Sequence, residues 1–158
     1  VKEALTMAVD VTTEATINRP IDVVAAYSAN PSNAPKWYKN IVSVELKTPL
    51  PLQSGSRMAF VARFLGKRLA YEYEVIEFVP QDRLVMRTSE GPFPMETTYT
   101  WQAAGDGATR MTLRNRGEPA GFARVGATAM ATAIRRANRK DLERLRSILE
   151  GQRSPADG

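Results

Sequence analysis

The chain has 158 residues, 43% hydrophobic and 25% charged, with a net charge of +5. That is enough for one domain around one core. It contains no cysteine and no histidine, which excludes disulfides, thiolate nucleophiles, His-based triads and zinc sites built on either residue.

The positive charge is unevenly placed. Residues 110–158 carry 11 basic and 5 acidic side chains, so the whole excess falls near the C-terminus. A basic helix face can attract nucleic acid or anionic lipid, but no base-stacking aromatics accompany these charges. A solvated outer face is the expectation, and no specific nucleic-acid partner is expected. No clustered Asp/Glu loop of the calcium type appears, so neither metal nor cofactor is expected. No apolar stretch approaches the roughly 20 residues that span a bilayer. Residues 1–10 lack the basic-then-apolar order of a secretory signal. The expectation is a cytoplasmic protein without a transmembrane segment.

Val9, Val11, Thr13, Ala15 and Ile17 alternate with Asp10, Thr12, Glu14 and Thr16. This period of two marks a half-buried strand. Asn18-Arg19-Pro20 ends it, and Pro20 pre-sets the backbone for a short helix at about 20–28. A turn-rich segment, residues 30–35, delivers Lys36-Trp37-Tyr38 on a second, very short helix. Six further strands follow, at 41–47, 56–64, 68–78, 83–89, 95–103 and 109–116. Leu65-Gly66-Lys67 and Gly105-Asp106-Gly107 mark hairpins. Short connections from Gly66 onward make sequence neighbours pair antiparallel. One long helix is predicted over 118–151, and residues 153–158 read as a flexible tail after a single domain of 1–152.

On a helical wheel of about 100° per residue, Ala123, Ala127 and Ala131 share the inward face, with Met130 beside them. Further along, Ile134, Leu142, Leu145 and Ile148 occupy that face. The second half can fill a sheet's concavity while the first half cannot reach across it. A cavity is therefore expected between residues 120–134 and the central strands.

The order of elements, strand, two short helices, six strands and one long helix, is filled in a recognisable way. Ile17-Asn18-Arg19-Pro20-Ile21-Asp22-Val23-Val24 precedes Asn33-Ala34-Pro35-Lys36-Trp37-Tyr38. Gly55-Ser56-Arg57, Tyr71-Glu72-Tyr73-Glu74-Val75-Ile76-Glu77, Pro80-Gln81-Asp82-Arg83-Leu84 and Asp141-Leu142 follow. This pattern, over about residues 9–150, resembles the START and birch-pollen-allergen-like (Bet v 1-like, SRPBCC) superfamily, and within it the polyketide cyclase/dehydrase group. The resemblance implies an α+β helix-grip fold: a curved antiparallel sheet of about seven strands around the long C-terminal helix, with a hydrophobic cavity between them. It also implies a hydrophobic small-molecule ligand such as a lipid or polyketide. Some members cyclise or dehydrate, others bind and carry. The superfamily has no shared catalytic motif that maps onto this sequence.

The inward strand positions are rich in aromatics and methionine. Phe60, Phe64, Tyr71, Tyr73, Met86, Tyr99, Trp101 and Met111 are candidate ligand contacts, with Met58 on the same pattern; plain core packing is the competing account of each. A buried tyrosine hydroxyl needs a partner, which Tyr71, Tyr73 and Tyr99 could find in one another, a water or a ligand. Trp37 could cap the cavity mouth or anchor the short helices. Ala127, Met130 and Ile134 complete the candidate set on the helix. Asn138 and Asp141 also fall on its apolar face, where either could orient a polar ligand group; a structural bond to a strand arginine or a backbone group is the competing and favoured account. Glu72, Glu74 and Glu96 alternate away from the apolar residues and read as a solvated sheet face. Three functions compete: hydrophobic ligand binding, a cofactor-free cyclase or dehydrase using Tyr, Asp or Arg, and a basic-helix module for membrane or RNA. Catalytic residues are not assignable from the sequence.

Overall fold

The computed structural model describes residues 9–118 and 126–152. Seven strands form one antiparallel sheet: β1 (Val9–Ile17), β2 (Ile41–Leu46), β3 (Arg57–Phe64), β4 (Lys67–Val79), β5 (Arg83–Glu90), β6 (Met95–Ala103) and β7 (Thr109–Gly117). Helices α1 (Ile21–Ala29) and α2 (Ala34–Trp37) follow β1, separated by a 3₁₀ turn at Pro31–Asn33. Helix α3 (Ala127–Gly151) closes the fold. The sheet order is β1-β7-β6-β5-β4-β3-β2. From β2 to β7 the strands pair in sequence order, as short connections require. Then β1 adds to β7, with Val9 opposite Gly117 and Ile17 opposite Thr109. The sheet curls into a half-barrel, the expected helix-grip arrangement. Register shifts after Glu72 and Val75 in β4 assist that curvature, because an extra residue on one strand sharpens its local twist.

The period-two reading of each strand decides which side chains enter the concavity. Val9, Val11 and Ile17 of β1, Met58 and Phe60 of β3, Leu84 and Met86 of β5, and Met111 and Leu113 of β7 are all buried. On α3, Leu142, Leu145 and Leu149 lie one turn apart and are almost wholly excluded from solvent. Truncating any of them to alanine would cost roughly 2–5 kcal/mol. Arg19 fastens the helix end: its Nη1 donates to the Leu149 carbonyl at 2.6 Å, satisfying one of the last-turn carbonyls that lack an intrahelical partner. Beside it the Asn18 N–H donates to Glu150 Oε2 at 2.9 Å.

The helix begins later than its sequence suggests. Glu118 is not helical; its N–H bonds the Pro94 carbonyl at 3.1 Å. Gly126 precedes the first helical residue at φ +83°, a left-handed value that breaks an α-helix and that glycine adopts without steric cost. Residues 119–125, with the expected inward Ala123, and residues 153–158, the expected tail, lie outside the described residues. No described helix is long and apolar enough to cross a membrane.

The buried side chains form two clusters. One gathers Ile17, Trp37, Met58, Phe60, Tyr73, Tyr99, Trp101 and the leucines of the C-terminal half of α3. The other gathers Val9, Val11, Phe93 and Met130, with Phe64, Leu69, Ala131 and Ile134 against it. Along α3 the boundary falls between Ile134 and Leu142. The residues that face inward across this gap are Ala137, Asn138 and Asp141. None is a large apolar side chain, and the space between the clusters is left open.

Candidate functional site

That opening is a cavity of about 180 Å³. Its helical wall is Met130, Ile134, Ala137, Asn138 and Asp141. The sheet contributes Phe60, Ala62 and Phe64 from β3, Leu69, Tyr71 and Tyr73 from β4, Met86 from β5, Met95, Thr97 and Tyr99 from β6, and Asn115 from β7. Phe93, before β6, and the α1–α2 region, through Ala29, Pro31, Ala34 and Tyr38, complete it.

Eight of the twelve sequence candidates meet there: Phe60, Phe64, Tyr71, Tyr73, Met86, Tyr99, Met130 and Ile134. Four do not. Ala127 is exposed on the first turn of α3, because the helix starts there rather than nine residues earlier. Trp101 is buried in the core, where its Nε1–H donates to Ser28 Oγ at 2.9 Å. Met111 is fully buried among core residues. Trp37 is fully buried behind the cavity wall, its ring 4.1 Å from that of Tyr38 and 5.7 Å from that of Tyr99. It anchors α2 and does not cap the mouth. The cavity meets the expected stretch 120–134 at Met130 and Ile134 and continues along the helix to Ala137, Asn138 and Asp141.

The polar groups are unevenly satisfied. Thr97 Oγ1 donates to Asn115 Oδ1 at 2.6 Å. With that proton committed, the 2.7 Å contact between Tyr73 and Thr97 has the tyrosine as donor. The Tyr38 and Tyr99 hydroxyls pair at 2.7 Å. The Tyr71 hydroxyl makes no hydrogen bond among the described residues; its ring stacks on Phe60 at 5.5 Å. Burial pushes the hydroxyls of Tyr38, Tyr71 and Tyr99 above their ordinary range and that of Tyr73 up to about 12. All four therefore stay protonated at neutral pH.

Asp141 takes the expected backbone bond, accepting the Lys39 N–H on Oδ1 at 3.1 Å. It is only 3% exposed. Burial pushes its carboxyl up to about 6, against the pull of the Lys39 N–H and of the Arg144 and Lys39 cations. One turn earlier, Asn138 is 4% exposed and its amide nitrogen has no partner, which costs roughly 1–3 kcal/mol in a buried site. The helical wheel already placed both residues on the apolar face. Strand alternation also put Thr97 and Asn115 on inward faces, but no sequence signal indicated that these residues would flank empty space, nor that Tyr38 would join them.

The acidic strand residues also need correction at one position. Glu96 is not solvated: it is 6% exposed and lies between two arginines, with Arg87 Nη2 on Oε2 at 2.7 Å and Arg116 Nε on Oε1 at 3.0 Å. Desolvation raises its pKa, but the hydrogen bonds from Arg87 and Arg116 outweigh it and hold the carboxyl below its ordinary range. Among the described residues no group of three acidic side chains could hold a metal ion.

Solved structures with this architecture include a protein of Thermus thermophilus, 20% identical, with a TM-score of 0.78 over 92% of this chain and 99% of that one. The Zhui aromatase/cyclase of a Streptomyces species is 16% identical, with a TM-score of 0.74 over 94% of this chain and 98% of the other. A START superfamily protein of Mycobacterium smegmatis is 14% identical, with a TM-score of 0.66 over 90% of this chain and 95% of the other. At these identities the likeness concerns the fold. No curated protein matches the sequence. The family described as polyketide cyclase / dehydrase and lipid transport matches residues 8–150. That span is nearly the whole chain, which thus belongs to this family, in the polyketide cyclase/dehydrase group of the START and Bet v 1-like superfamily.

Proposed function

We propose that this chain binds a hydrophobic small molecule in the cavity between its sheet and α3. The observation that carries this reading is the gap of about 180 Å³ between two apolar clusters, walled by aromatic, aliphatic and methionine side chains. An apolar pocket with a few placed polar groups is the usual form of a small-molecule site. Titration with the neutral dye Nile red tests it. Saturable binding to one site per chain, displaced by small aromatic hydrocarbons, is the expected result. No fluorescence change at concentrations well above the protein's would reject the reading.

A second reading, cofactor-free cyclisation or dehydration, is favoured by Asp141. A buried carboxyl raised to about 6 is poised to exchange a proton near neutrality. The tyrosine hydroxyls at the same end are hydrogen-bond groups for a substrate carbonyl. The Streptomyces neighbour, by its name, performs chemistry of this kind. No hydrogen bond links Asp141 to a tyrosine or arginine among the described residues, so binding is the better-supported reading. Cyclisation of a β-dicarbonyl probe, followed by absorbance and abolished in Asp141→Asn, would establish the second.

A further inference from the structure

We propose that the polar end of the cavity selects an uncharged hydroxyl group on the ligand and rejects a carboxylate. This rests on the binding reading above and adds the chemical class of the ligand.

Proton bookkeeping at that end supports it. The Tyr73 proton is committed to Thr97, which is itself committed to Asn115. The Tyr73 oxygen is left as an acceptor. Asp141 has one oxygen on the Lys39 N–H, and its second makes no hydrogen bond among the described residues. The Tyr38 and Tyr99 hydroxyls make one hydrogen bond between them, which leaves one O–H free to donate, and both lie within the electrostatic reach of Asp141. The end therefore offers free acceptors, the Tyr73 oxygen and the second Asp141 oxygen, beside free donors. The donor without a partner nearest Asp141 along the chain is the Asn138 amide, three residues earlier on the same face of α3.

A hydroxyl fits both needs at once. It can donate to the free oxygen of Asp141 and accept an N–H of Asn138. A carboxylate can only accept, and it would bring a second negative charge beside the first. Nothing in the lining offsets that charge. Asp141 and Arg116 are the charged residues of the described wall, and Arg116 is engaged by Glu96. Lys39 and Arg144, which act on Asp141 electrostatically, are exposed and outside the wall. Two like charges in a poorly solvated site disfavour each other strongly.

The elevated pKa of Asp141 makes the selection pH-dependent. Tyr38, Tyr73 and Tyr99 stay neutral throughout, and the cations that act on Asp141 are the exposed Lys39 and Arg144. Asp141 is therefore the group at that end that changes charge near pH 6.

Matched probes test this: naphthalene, 2-naphthol and 2-naphthoate, each competing with Nile red. At about pH 8, 2-naphthol should bind roughly tenfold more tightly than naphthalene, and 2-naphthoate roughly tenfold more weakly. At about pH 5, where Asp141 is protonated and the probe is still ionised, the naphthoate penalty should largely vanish. Asp141→Asn, with folding checked by circular dichroism, should remove the penalty at both pH values. Naphthoate binding as tightly as naphthol at about pH 8, or a penalty that neither acid nor Asp141→Asn relieves, would overturn the proposal while leaving hydrophobic binding standing. Failure of all three probes and of Nile red would overturn both.

Discussion

The hydroxyl oxygens of Tyr38 and Tyr99 lie 2.7 Å apart, tying the exit of α2 to the middle of β6. Both rings pack on Trp37, and both hydroxyls border the cavity. Each single Phe replacement leaves the other hydroxyl without its partner. Tyr38→Phe and Tyr99→Phe should each cost about 1–2 kcal/mol. The double variant should cost clearly less than the two added together, because no orphan hydroxyl remains. Urea unfolding of the three variants measures this; strict additivity would mean that the two hydroxyls do not interact.

Asp141 should make stability fall as the pH rises through its titration range. Its folded-state pKa, about 6, exceeds the ordinary value of 3.8. Between these values the folded chain binds the extra proton, so ∂ΔG/∂pH is negative for this group. Ionising it costs up to about 3 kcal/mol once the pH is well above 6. Asp141→Asn keeps an acceptor for the Lys39 N–H and never ionises. It should be about 1–3 kcal/mol more stable than the parent at about pH 8 and nearly equal to it below about pH 4. A difference independent of pH would show that the carboxyl is not destabilised by burial.

Glu96 behaves oppositely. Its carboxylate holds Arg87 and Arg116 together, and its depressed pKa means stability that is present above the ordinary carboxylate range and lost as the pH falls through the folded value. Glu96→Gln leaves two partly exposed arginines facing a neutral amide and should cost about 1–3 kcal/mol. Thermal melts at neutral pH and at about pH 3 should show the gap between parent and variant narrowing in acid.

Filling the gap on α3 should abolish binding without unfolding the chain. Ala137 lines the cavity, whereas Ala127 does not. Ala137→Phe should lower Nile red affinity at least about tenfold while changing stability by less than about 1.5 kcal/mol, since the added ring enters open space. Ala127→Trp should leave affinity unchanged. Equal effects from both substitutions would place the site elsewhere.

Strand alternation, turn residues and a single amphipathic helix at the end were legible as a helix-grip fold, because each is a local pattern that one register satisfies. Inward aromatics such as Phe60, Tyr73 and Tyr99 were legible for the same reason: period two assigns a face without reference to any partner. Three things depended on the tertiary structure. The start of α3 depended on the backbone angle of Gly126, which sequence alone leaves open. The burial of Glu96 depended on Arg87 and Arg116 arriving from neighbouring strands. The position of the cavity depended on which helical turn lies opposite which strand. Small residues near the start of the helix suggested a void there, and Met130, packed with Val9 and Phe93, forms one end of the cavity wall. The void continues from there to where Ala137, Asn138 and Asp141 pass between the two packed clusters. A void is a property of the distance between elements, and no periodicity within one element encodes that distance.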